Sequence, residues 1–316
     1  MTFVSSTPAL LEVAQGSTPA PVSLSSLRFE TLETRLEADT ASFWAYMNPG
    51  PKPSFTRELL RDILAQQAML RDTLRAEREA GLASSLRYYV MGSSLPGIFN
   101  LGGDLGHFAD RIRGRDLASL RRYGHLCVEA IHGNAEAFRS PVVTIAMVQG
   151  DALGGGFECA LAFDVIIAER SAKFGLPEIL FNLFPGMGAY SFLSRRIGPV
   201  EAEKMIMSGK LYTAEELHAM GVVDVLAEDG EGEAAVRRYI DQHSRKHNAQ
   251  QAMMRVRRRV NPVTLEELKD VVDIWAETAM GVTEMDLRKM VRLTQAQEKR
   301  LNAVSQPAPA PVHAIA

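Results

Sequence analysis

The chain has 316 residues, 46% hydrophobic and 23% charged, enough for one large domain whose core needs neither disulfides nor metals. Thirty-five basic residues against 38 acidic ones give a formal charge of −3, so no global field draws it to nucleic acid or an anionic membrane. Two cysteines, Cys127 and Cys159, lack CxxC or metal-ligand spacing and fit a reducing cytoplasm.

Residues 1–26 are rich in Ser, Thr, Pro and Ala without the basic start of a signal peptide, and are expected to be a disordered lead-in. Residues 27–47 then read as extended. The Pro/Gly run at 48–53 breaks them, and Ser54 reads as the N-cap of a helix. Leu59, Leu60, Ile63, Leu64, Leu70 and Leu74 recur at helical spacing up to Gly81. A short strand at 87–91 leads to a glycine-bearing loop at 99–104, then to helices near 105–113 and 117–137.

The apolar strand at 142–148 is far shorter than the ~20 residues of a membrane span. It turns at 149–151 into Leu153-Gly154-Gly155-Gly156, which opens a short helix at 157–163. Strands at 164–168 and 172–174 precede Gly175-Leu176-Pro177-Glu178. Strands too apolar to face water, alternating with helices, predict an α/β fold. From about 249 to 301 the pattern is helical throughout. The chain therefore divides into a core at 27–245, a helical region at 246–302 and a Pro/Ala tail at 303–316 expected to be disordered.

Residues 153–158 have the form of a glycine loop entering a helix, where unpaired backbone N–H groups attract negative charge. They match neither GxGxxG nor GxxxxGK[ST], so nucleotide binding is not indicated. The remaining use is an oxyanion hole, for which the 99–104 loop is the natural second donor. The plain alternative is two tight turns. Glu158 follows the first loop and Glu178 the Gly-Leu-Pro turn, each among apolar residues. A carboxyl in such company is hydrogen-bonded or has a raised pKa, and two of them can divide acid and base roles. The competing reading has both glutamates capping helices or pairing with arginines such as Arg170 or Arg195.

The stretches PVVTIAMVQGDALGGGFECALAFDVIIAE (141–169), FGLPEILFNLFPGMGAY (174–190) and FNLGGDL (99–105) resemble the crotonase (enoyl-CoA hydratase/isomerase) superfamily. The resemblance implies a spiral of β-β-α units with a C-terminal helical region that closes an acyl pocket and mediates trimers. It places the two oxyanion-hole donors at Gly103 and Gly155 and the two catalytic acids at Glu158 and Glu178. Within the superfamily the chain is most similar to bacterial diffusible signal factor synthases, through Asn100–Asp104, residues 183–192, Ile274-Trp275 and Thr278-Ala279-Met280. That likeness implies dehydration of a 3-hydroxyacyl chain on acyl carrier protein and hydrolysis to a free cis-2-unsaturated fatty acid used in quorum sensing. It also offers Leu153, Trp275 and Leu293 as pocket wall, against ordinary core packing.

No cofactor is implied beyond the acyl carrier protein or CoA thioester that serves as substrate. The expected assembly is a homotrimer or a dimer of trimers. Arginine clusters at 111–122 and 255–259 could receive an acidic carrier protein or CoA phosphates, or simply be solvated faces. His125, Cys127 and His132 are not spaced to share one helical face, and Ser191 lacks the GxSxG setting of a nucleophile. Two other readings compete: a catabolic enoyl-CoA hydratase, and a non-catalytic regulatory partner of a sensor kinase.

Overall fold

The computed structural model describes residues 28–304; the lead-in at 1–26 and all but the start of the tail at 303–316 lie outside the described residues. The described residues open with an antiparallel hairpin, β1 (Leu32–Glu37) and β2 (Ser42–Met47), followed by α1 (Arg57–Glu79). Thr56, rather than Ser54, caps α1, its hydroxyl accepting the Leu59 amide at 3.2 Å. The helix starts late because the preceding residues are tied elsewhere. Leu101 N–H donates to Pro53 O at 2.7 Å, and Phe55 N–H to Gly102 O at 2.8 Å.

Three turns of a spiral follow, each sending one strand into a large sheet, a second into a small sheet, and returning through helix. The first is β3 (Tyr88–Ser93), β4 (Ile98–Asn100), α2 (Leu105–Arg113) and α3 (Leu117–Ala135). The second is β5 (Val143–Val148), β6 (Asp151–Leu153) and α4 (Gly155–Leu161). The third is β7 (Val165–Glu169), β8 (Lys173–Gly175), a 3-10 turn at Pro177–Phe181 and α5 (Ala189–Ile197). β6 falls where the sequence reads as a turn, since three residues between glycines carry no periodicity. Beyond them come α6 (Pro199–Ser208), β9 (Leu211–Thr213), α7 (Ala214–Ala219), β10 (Val225–Ala227) and α8 (Gly232–Ser244).

The described residues form a six-stranded sheet, β1-β2-β3-β5-β7-β10, parallel except at the first hairpin. A four-stranded sheet, β4-β6-β8-β9, is parallel except at β8–β9. β5 is buried from end to end, which is why it carries no charged residue. Helices α9 (His247–Val260), α10 (Leu265–Ala279) and α11 (Glu284–Val304) complete the described residues. α10 packs on α3, and α11 on α2 and the 3-10 turn. Arg257 and Arg258 fasten α9 to the buried Asp164 at 2.7 and 2.5 Å.

Candidate active site

Strand pairing in the small sheet decides where the chemistry sits. β4, β6 and β8 run parallel, so the chain leaves all three at one edge, where ligands bind in parallel sheets. The loop after β4 carries Gly103; the one after β6 carries Gly155 and, in the first turn of α4, Glu158; the one after β8 carries Glu178. The loops touch so closely that only glycine fits. A methyl group on Gly102 (φ +92°) would lie 2.8 Å from Gly155 N, and one on Gly154 (φ +51°) 2.5 Å from Glu178 Oε1.

Glu158 is 1% exposed. Its Oε1 accepts the amide N–H groups of Met187 at 2.7 Å and Ala189 at 3.0 Å, so it also holds the N-terminus of α5. The capping role weighed from the sequence is therefore real, though for a distant helix. Glu178 is half-buried, with Oε2 shielded from solvent and without a hydrogen-bond partner among the described residues. The arginines considered as partners are engaged elsewhere: Arg170 pairs with Glu215 and Glu228, and Arg195 with Glu267.

Burial pushes the Glu158 carboxyl well above the usual carboxylate range, and the Glu178 charge adds to the push. The two amides on Oε1 pull the other way without reversing it. Burial likewise raises Glu178, to about 7. Raised in this way, the two carboxyls favour their protonated forms more than ordinary carboxyls do, so one can act as acid while the other acts as base.

Gly103, Gly155, Glu158 and Glu178 line one cavity of about 510 Å³, together with Leu153, Trp275 and Leu293. No Lys, Arg or His lines it among the described residues. The Trp275 ring stands edge-on to Phe108 at 5.0 Å. Leu180 and Leu211, 48% and 46% exposed, form the mouth, whereas Cys127 and Val272 lie in the fully buried part. Cys127, Tyr123 and Val272 belong to this wall but carry no signal in the sequence, because their helical spacing is that of any core residue. The amide N–H groups of Gly103 and Gly155 have no acceptor among the described residues.

The first arginine cluster is largely spent within the fold. Arg111 pairs with Asp116, Arg113 with Glu284, and Arg121 with Asp273 and Glu277, while Arg115 donates to Met280 O. The Arg111 pair is local to the α2–α3 junction, whereas the contacts of Arg113, Arg115 and Arg121 clip α2 and α3 to the C-terminal helices. His125 pairs with Asp273 at 2.8 Å. Among the described residues no group of three His, Cys, Asp or Glu could hold a metal ion, and no helix is long and apolar enough to cross a membrane.

A model of the enoyl-CoA hydratase/isomerase family matches residues 63–282. The chain belongs to that family. Its spiral is the crotonase fold, with two mixed sheets and C-terminal helices. Methylglutaconyl-CoA hydratase of Rattus norvegicus is 32% identical over 197 residues, covering 58% of this chain and 54% of the relative. The 2,3-dehydroadipyl-CoA hydratase of Escherichia coli is 37% identical over 132 residues, covering 42% and 48%. The chain thus spans about half the length of these curated relatives. Among solved structures, Pseudomonas aeruginosa DspI superposes with a TM-score of 0.57 at 23% identity, covering 90% of this chain and 99% of that one, a likeness of fold.

Proposed function

We propose that the protein adds water to, or removes it from, the α,β-position of an acyl thioester. The observation carrying this reading is the convergence, in one apolar cavity, of two carboxyls without a cation beside them and two glycine amides without an acceptor among the described residues. In the dehydration direction the thioester carbonyl oxygen accepts from the Gly103 and Gly155 amides, which stabilise enolate charge. One glutamate, ionised, takes the α-proton; the other, protonated, gives its proton to the departing 3-hydroxyl, which leaves as water. The pair begins and ends with one proton, so hydration is the same path reversed. Carboxyls raised toward neutral pH suit both directions.

The acyl chain is apolar to its end. Two relatives are named for dicarboxylic acyl groups, whereas among the described residues no cation lines this cavity to receive a second carboxylate. Leu153, Trp275 and Leu293 are assigned to its wall. The size and apolar lining of the cavity support a second reading, a diffusible signal factor synthase. In that case the cis-2-enoyl thioester formed by dehydration is hydrolysed in the same oxyanion hole to a free fatty acid. Acyl carrier protein or CoA carries the substrate, and the assembly is a homotrimer or a dimer of trimers.

Mass spectrometry of medium-chain 3-hydroxyacyl and 2-enoyl thioesters on CoA and on acyl carrier protein tests these readings. Interconversion without free acid supports the hydratase, and a free cis-2-enoic acid supports the synthase. No turnover of any of them would overturn both and return the chain to a binding role.

A further inference from the structure

We propose that Asn100 and Tyr123 are positioning residues that engage the amides on either side of Gly103 and leave the Gly103 amide, without an acceptor among the described residues, as the donor to the site. This inference rests on the thioester reading above and concerns how the oxyanion hole is built. Successive backbone amides around Gly103 each have a different fate. Leu101 N–H donates to Pro53 O at 2.7 Å. Gly102 N–H donates to the Asn100 side-chain oxygen, Oδ1, at 2.8 Å. Asp104 N–H donates to the Tyr123 hydroxyl at 3.2 Å. Between the last two, Gly103 N–H has no acceptor among the described residues, and Gly103 lines the cavity.

Both side chains are built into the core rather than laid over it. Asn100 is 1% exposed and Tyr123 2%. The Tyr123 hydroxyl also donates to Phe55 O at 2.5 Å, and Phe55 forms a parallel bridge with Gly103. One phenol on α3 therefore ties together the two strands of chain that flank the donor. Its ring packs edge-on against Phe108 at 5.3 Å, which fixes the hydroxyl in place. Asn100 closes the other side at the end of β4, where Gly102 takes its left-handed turn. Glycine adopts a φ of +92° freely, so the turn at Gly102 does not by itself fix the direction of the next amide; the side-chain bonds from Gly102 to Asn100 and from Asp104 to Tyr123 hold it.

An oxyanion donor acts through direction as well as presence, and misplacement by an ångström is costly. Replacing Tyr123 by Phe removes both hydroxyl bonds and keeps the ring; replacing Asn100 by Ala removes the acceptor for Gly102. Each is expected to lower kcat by roughly 10- to 100-fold with KM changed far less. The readout specific to positioning is optical. The pantetheine thioester of 4-dimethylaminocinnamic acid absorbs further to the red when its carbonyl is polarised, and pantetheine is common to both carriers. The wild-type protein is expected to red-shift the bound probe, and Tyr123→Phe and Asn100→Ala to lose much of that shift while still binding it.

If one variant fails to fold by thermal melting, the other decides the matter. A folded variant that keeps both the full shift and the wild-type kcat overturns the clamp and leaves the thioester reading standing. A wild-type protein that binds the probe without any shift overturns that reading, and the clamp with it.

Discussion

Glu158 and Asp164 lie in the same stretch of chain and are buried to the same degree, at 1% and 3% exposure, yet their surroundings are opposite. Asp164 is enclosed by cations: Arg257 and Arg258 pair with its two oxygens, and Thr144 N–H donates to Oδ2 at 3.1 Å. Glu158 meets two amides and a second carboxyl, and no cation lines its cavity among the described residues. The difference separates two uses of a buried acid. Surrounded by arginines, it is an anchor joining α9 to the core; set beside another acid in an apolar cavity, it is a place to keep a proton.

That contrast breaks if the two kinds of acid respond alike to neutralisation. Glu158→Gln and Glu178→Gln should each cut turnover of a 3-hydroxyacyl thioester by roughly 10²- to 10⁴-fold. Gln at 158 can still accept the Met187 and Ala189 amides, so circular dichroism should show an intact fold. Asp164→Ala should do the reverse. It strands two arginines and should cost about 3–5 kcal/mol in denaturant unfolding, while the folded fraction retains its kcat.

The pH dependence sharpens the contrast. Glu178 is raised from an ordinary carboxylate value to about 7. Its contribution to stability is therefore complete below the unfolded pKa and lost as pH rises through about 7. Glu178→Gln should remove that loss, making the variant more stable than wild type at pH 8 by on the order of 2–3 kcal/mol, with no such gain at pH 4. Urea melts at the two pH values measure it. The smallest effect is expected at the cavity wall: Leu293→Ala should raise KM for long acyl chains several-fold, worth about 1 kcal/mol, and leave short-chain kcat unchanged.

Much of the site was legible because its chemistry is carried by short segments that the small sheet brings together. Glycine runs next to strands, and glutamates among apolar neighbours, are visible without coordinates. The pieces that were not legible depend on contacts remote in sequence. Glu158 holding Met187 and Ala189, Tyr123 linking Phe55 to Asp104, and Cys127 in the cavity wall leave no periodic trace. Strands such as β6 and β9 are too short to show alternation; they exist because neighbouring turns of the spiral pair with them. The cap of α1 moved from Ser54 to Thr56 for the same kind of reason, since residues 53–55 are held by the glycine loop.

A 3-hydroxyacyl pantetheine thioester bearing two deuterons at the α-carbon puts the paired-acid account to its most direct test. Followed by mass spectrometry, the wild-type protein should yield a dehydrated product that has lost one deuteron to solvent, and both glutamine variants should yield almost none. Product forming at the wild-type rate in either variant, or no deuteron loss with the wild-type protein, would contradict it.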